Sequence, residues 1–223
     1  MIAVETLQSE NRVLSSILHT LAEEGFVSVN GEDDEMSETT LHYKLIHYLF
    51  TALELFFKSR EDVFVASNLR ISYDEKHPLK WYAPDILVAF GVENRERASY
   101  HLQTEKIMPQ VIFEIASEQT ADKDVGEKYL TYAKLGVEEY YLLDPERTLL
   151  PKQITAYHRQ NNALLPISVS ENRVFSPRLG LEIVDTGENF RLFDPTINKF
   201  LLSTDELAAR VAELEALLQQ NSK

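Results

Sequence analysis

Residues 109–145, PQVIFEIASEQTADKDVGEKYLTYAKLGVEEYYLLDP, constrain the fold more than any other stretch. They read as strand, turn, helix, strand. VIFEIA at 111–116 is a buried strand, and alternation puts Ile112, Glu114 and Ala116 on one face and Val111, Phe113 and Ile115 on the other. Residues 117–120 form the turn. A helix is predicted over about 121–135, stopped by Gly136 in a left-handed cap. EEYYLLD at 138–144 is the next strand, ended by Pro145. Two charges are out of place for a simple core. Glu114 interrupts the first strand, and a buried carboxylate must be protonated, paired or bound to a cation. Lys128 falls with Ala121, Val125, Tyr132 and Leu135 on the inward stripe of the helix, whereas Asp122, Asp124 and Glu127 lie mostly elsewhere. Two structural alternatives stand beside a functional one for Lys128: a snorkelling stem, or an i,i+4 pair with Asp124.

The same logic runs along the rest of the chain. An N-terminal helix is expected over 7–24, followed by a short strand and an acidic loop at 31–38. A long helix over about 39–59 has Leu41, Leu45, Leu49, Ala52, Leu53 and Phe56 as its apolar stripe, with Glu38 and His42 sharing a face at its start. Residues 62–73 read as one bent strand or two short ones, and DEKHPLKWYAP as a polar loop. DILVAF, beginning at Asp85, is continuous enough in apolar residues for a strand covered on both faces. Residues 92–106 are a polar excursion, either a flexible loop or a lid. After Pro151 come short β segments, with a hairpin turn at RQNN, 159–162; they add to the main sheet or form a small flanking one. Ser203 to Glu206 is a capping box, and Leu207, Val211, Leu214 and Leu218 follow at 3–4 spacing. This amphipathic helix, 203–223, either docks on the body or pairs with a second copy, which makes a homodimer possible.

Composition narrows the function. No cysteine is present, so disulfides, thiolate metal sites and cysteine nucleophiles are excluded. No apolar stretch is long enough to span a membrane and the first residues do not form a signal peptide, so a soluble cytoplasmic protein is expected. With 223 residues and no polar linker, residues 1–200 are expected to form one domain. The net charge of −14 works against non-specific attraction to a phosphate backbone.

Asp85 opens one central strand and Glu114 lies inside the next. Two carboxylates on neighbouring strands, with water completing the shell, suit Mg²⁺ or Mn²⁺ rather than zinc. A lysine from the following helix can then stabilise charge on a phosphate or orient a water. PDILVAF (84–90) and the run Glu114 to Pro145, with Glu38 and His42 upstream, resemble the PD-(D/E)XK nuclease superfamily, and more closely the Uma-two family of restriction-endonuclease-like domains abundant in cyanobacteria.

The resemblance implies an α/β (α+β) restriction-endonuclease-like core over about 37–184. It has a central mixed sheet flanked by helices, built in the order helix, three strands, helix, strand, with extra C-terminal β segments and a terminal helix. By the same resemblance Asp85 and Glu114 are metal ligands, Glu38 is a further acid, His42 is a companion histidine, and the carbonyl of Ile115 is an additional ligand. The superfamily pattern expects lysine two residues after the glutamate, where this chain has Ala116. Lys128 matches the family's displaced lysine, and the small Ala116 leaves room for it. The implied activity is Mg²⁺-dependent hydrolysis of phosphodiester bonds in DNA. The alternative is a catalytically silent module that uses the nuclease fold to bind a partner; RNA or another phosphoester are further substrates of the same chemistry.

Overall fold

The computed structural model describes residues 39–77 and 79–221. The predicted N-terminal helix, the acidic loop and Glu38 lie outside them. Helix α1 (Thr40–Phe56) is capped by Thr39, whose Oγ1 accepts from the His42 N–H at 3.3 Å. It buries Leu45, Leu49, Ala52 and Leu53 as expected. Leu41 does not join them: it is 43% exposed, and His42 turns inward in its place.

Strands β1 (Val63–Ser67) and β2 (Ile71–Ser72) realise the two-strand option, separated at Asn68, which has φ of 49°. The loop at 74–84, expected to be irregular, contains β3 (Trp81–Tyr82), which pairs antiparallel with β2. β4 spans Ile86–Phe90. The excursion after it is tied down rather than loose. β5 (Tyr100–His101) pairs parallel with β2 and leads into the short helix α2 (Leu102–Glu105). Arg97 Nε meets Glu105 Oε1 at 2.8 Å, and the buried Tyr100 donates to the Ile107 carbonyl at 2.6 Å.

β6 (Val111–Ile115), helix α3 and β7 (Glu139–Leu143) form the predicted strand–helix–strand unit. The two strands pair in parallel, which requires the crossover that α3 supplies. α3 is not a plain α-helix. It is α-helical over Ala121–Lys123, π-helical over Asp124–Lys128 and α-helical again over Tyr129–Leu135, ending at Gly136 with φ of 100°. The wider turn disrupts the expected stripe. Val125 is 45% exposed, and Asp124, expected on another face, is 1% exposed.

β8 (Ile154–Gln160) and β9 (Ala163–Pro166) complete a six-stranded sheet in the order β1-β4-β6-β7-β8-β9. Their turn falls at Asn161 and Asn162, both at positive φ, as a two-residue hairpin demands. β10 (Arg173–Ser176), β11 (Leu181–Asp185), β12 (Phe190–Asp194) and β13 (Lys199–Phe200) form a second, antiparallel sheet before helix α4 (Thr204–Asn221). Both expected fates of the C-terminal segments are therefore realised. The helix–three strands–helix–strand order is present as α1, β1, β4, β6, α3 and β7.

Alternation along the strands makes two cores. Val88, Val111, Phe113, Ile115 and Tyr141 pack with α1 and the second sheet. Leu87, Ala89, Ile112, Ala116 and Leu142 pack with Tyr132 of α3 and with Ile71 and Tyr100 of the β2-β3-β5 sheet. Glu139 stitches the two larger sheets together: Oε1 accepts from Arg178 N–H at 2.8 Å, and Oε2 bonds the hydroxyls of Tyr141 and Ser176.

Tyr48 joins α1 to the C-terminal part. Its hydroxyl donates to the Leu201 carbonyl at 3.1 Å and accepts from Leu192 N–H at 3.0 Å and Arg191 Nε at 3.2 Å. Tyr48→Phe leaves the buried Leu192 N–H and the Leu201 carbonyl without that partner. It is expected to destabilise the protein by about 1–3 kcal/mol in urea unfolding, with little change in the denaturant slope.

Candidate functional site

The antiparallel register of β4 and β6 sets Ile86 opposite Phe113. One residue further, Asp85 and Glu114 come opposite each other and point to the same face. β4 ends here, so the Ile115 peptide has no ladder partner on that side and its two polar groups take side chains instead. Its N–H donates to Asp85 Oδ2 at 2.6 Å, and its carbonyl lies 3.0 Å from His42 Nε2. A carbonyl only accepts, so Nε2 carries the proton. The 3.7 Å between His42 Nε2 and Asp85 Oδ2 is too long for a hydrogen bond.

Glu114 is reached from α3, on the opposite side of the sheet from α1. Lys128 Nζ lies 3.0 Å from Glu114 Oε2 and 2.7 Å from Asp124 Oδ1, so one ammonium serves two carboxylates. Tyr132 donates its hydroxyl to Glu114 Oε1 at 2.8 Å. Tyr140 donates to the main-chain carbonyl of Asp124 at 2.9 Å, steadying the π-helical turn that carries it. The Tyr132 ring is packed edge-on between Tyr82 and Tyr140, with centroids 5.7 and 5.3 Å away. Tyr82 in turn bonds Glu127. Ala116 is buried among the same residues, facing the side from which Lys128 enters.

Burial separates the members of this cluster. Glu114 and Asp124 are 1% exposed, while the side chains of Asp85 and Lys128 keep 13% and 14% of their surface. Solvent therefore meets the cluster at Asp85 and Lys128. Burial raises the pKa of Glu114 to about 8 against the opposing pull of Lys128, with Asp85 and Asp124 adding to the rise. Burial likewise raises Asp124, again opposed by Lys128. Burial alone would lower Lys128, but Glu114 and Asp124 more than offset it and hold the ammonium above its ordinary value.

Three carboxylates face one ammonium, and full ionisation would leave an excess of two negative charges. A proton on Glu114 relieves part of that excess; a divalent cation would relieve all of it. Asp85, Glu114 and the free lone pair of the Ile115 carbonyl are hard oxygen donors, the type Mg²⁺ and Mn²⁺ take. Among the described residues, no group of three or more His, Asp or Glu side chains is arranged to hold a metal ion.

The structure thus brings together Asp85, Glu114, Lys128 and His42. Two further members did not stand out in the sequence. Asp124 figured only as a pairing partner for Lys128, and Tyr132 only as an apolar stripe residue. Their signal is the i,i+4 series Asp124, Lys128, Tyr132, which puts an acid, a cation and a hydroxyl on one line.

A family model for Uma2, described as "putative restriction endonuclease", matches residues 20–186. Among solved structures, this chain is similar to the crystal structure of a putative nuclease belonging to DUF820 from Anabaena variabilis. The identity is 18%, the match covers 64% of this chain and 75% of that one, and the TM-score is 0.46. No curated protein matches.

The raised pKa of Glu114 has a signed consequence. Its folded-state value lies above its ordinary 4.5, so its contribution to stability is full below that pH and is lost as pH rises toward about 8. In the presence of a chelator, the unfolding free energy should fall across this window with a slope of at most about 1.4 kcal/mol per pH unit. Glu114→Gln, neutral throughout, should give a visibly shallower curve in urea titrations at successive pH values.

Proposed function

The chain belongs to the Uma2 family of restriction-endonuclease-like proteins, and from that premise we propose that it is a Mg²⁺-dependent (or Mn²⁺-dependent) endonuclease hydrolysing phosphodiester bonds of DNA. The observation that carries the reading is the meeting of Asp85, Glu114 and the Ile115 carbonyl with Lys128 at one end of the sheet. Asp85, Glu114 and that carbonyl would hold the ion. When bound, it supplies Lewis-acid polarisation of the scissile phosphate and an acidified water.

The chain's own residues do the rest. Lys128, fixed between two carboxylates, presents a permanent positive charge to the phosphate oxygens as negative charge builds on them. Tyr132 and Asp124 hold Glu114 and Lys128 in one geometry. His42 fixes the Ile115 carbonyl. Glu38, a further acid by family resemblance, lies outside the described residues. The proton on Glu114 must leave before its carboxylate can act as a ligand, so cation binding releases a proton and strengthens with pH.

A second reading is a nuclease-fold module that binds without cutting. The net charge of −14 favours it, as does the engagement of both Glu114 oxygens by Lys128 and Tyr132. Supercoiled plasmid separates the two. With Mg²⁺ or Mn²⁺ the wild-type protein should nick it, and Asp85→Ala, Glu114→Ala and Lys128→Met should each lower the rate by about a hundredfold or more. Equal nicking by wild type and Glu114→Ala would remove the assigned site. No nicking, with no heat of Mn²⁺ binding in calorimetry, would select the binding module.

A further inference from the structure

Helix α4 leaves the body with Val211 of its apolar stripe exposed and Leu207 only half-buried. Its base is well anchored. Ser203 and Glu206 form the reciprocal capping box, with Glu206 N–H to Ser203 Oγ at 3.2 Å and Ser203 N–H to Glu206 Oε2 at 2.7 Å. Arg191 of β12 grips the same carboxylate at 2.8 Å. Beyond this turn the packing stops. From Ala208 to Glu213 every residue is exposed, as is Glu215, and Val211 is 54% exposed. A helix of 18 residues is marginal by itself in water.

The sequence of α4 specifies what covers it. Leu207, Val211, Leu214 and Leu218 are spaced four, three and four residues apart, the interval of heptad positions d, a, d, a. Val211, β-branched at the first a position beside leucines at d, favours two parallel strands, while the second a position is Leu218. The flanking charges select the same arrangement. In this frame Arg210 is a g position and Glu215 is the e position five residues later. In a parallel pair each g side chain meets the e side chain of the following heptad on the partner, so Arg210 of each helix faces Glu215 of the other, twice by symmetry. Arg210 pairs within its own helix with Glu213; an antiparallel pair would set g against g and e against e, so that neither Arg210 nor Glu215 gains an opposite charge across the seam.

We propose that a second copy of this chain covers α4, the two helices forming a short parallel two-stranded coiled coil in register. The seam does not stand alone. Leu55 of α1, Phe200 of β13 and Leu202 are 47%, 39% and 41% exposed, and they line one groove together with Leu207. The apolar surface therefore runs on from the helix to the body at its base, giving the partner more to bury than two heptads offer.

Sedimentation equilibrium of the full chain across the micromolar range tests this. Wild type is expected at twice the chain mass. Val211→Asp, which puts a charge into the seam at a site that touches no core residue, should weaken the dimer at least about tenfold with an unchanged circular dichroism spectrum of the body. Arg210→Glu should weaken it too, and the double variant Arg210→Glu with Glu215→Arg should recover dimerisation, because reversing both charges restores the cross-helix pair. A monomer at all concentrations overturns the proposal, as does a dimer indifferent to Val211→Asp. A dimer that Val211→Asp dissociates but the charge reversals leave untouched overturns the parallel register.

Discussion

Lys128 is the interaction on which the interior of this protein depends. Two carboxylates, Glu114 in the middle of a fully buried strand and Asp124 on the facing helix, would each be prohibitively costly in a dry environment. One ammonium at 3.0 and 2.7 Å makes both tolerable. Removing one partner of such an arrangement costs more than the arrangement itself contributes, because the remaining charges stay buried and uncompensated. The cluster is therefore a poor way to gain stability and a good way to hold charged atoms at fixed positions. On the proposed function, that is what a site facing a phosphate without rearranging requires.

The geometry around it follows from where β4 stops. Along most of the sheet, main-chain groups are consumed by the ladder and side chains pack on one face or the other. At the end of β4 the Ile115 peptide runs past its neighbour, and Asp85 and His42 take its N–H and carbonyl. Past the strand end, residues from both layers can reach the same point: His42 from α1 on one side, Lys128 from α3 on the other. A site in the middle of the sheet would be open to one layer only.

Much of this was legible in the chain. Glu114 and Lys128 stood out because strand alternation and helix periodicity each assign an inward face, and a charge there is conspicuous. Asp85 was legible as the polar residue opening an apolar strand. The i,i+4 pair of Asp124 with Lys128 was legible and is present, but the burial of Asp124 was not, because an α-helical reading puts Val125 on the inward stripe, and the π-helical turn that buries Asp124 instead has no reliable mark in a sequence. His42 was legible as an extension of the stripe through Leu45 and Leu49, and it is buried; Leu41 misled because apolar character at the right spacing does not by itself bury a residue in the first turn. β3 was hidden in a loop because two-residue strands exist through their partners, here β2, and not through local propensity. The capping box at Ser203 and the hairpin at Asn161 and Asn162 were legible because both are set within four residues.

The bracket that Asp85 places on the Ile115 peptide also acts as a check on assembly. Side chains alternate with a period of two, so sliding β4 against β6 by one residue would send Asp85 and Glu114 to opposite faces. It would also break the 2.6 Å bond and leave the Ile115 N–H buried without a partner. A chain folded one residue out of step would lose its charged cluster and its stability together. The residues suited to chemistry are in this way also the proofreaders of the register, and misaligned copies are eliminated by the same contacts that equip the correct ones.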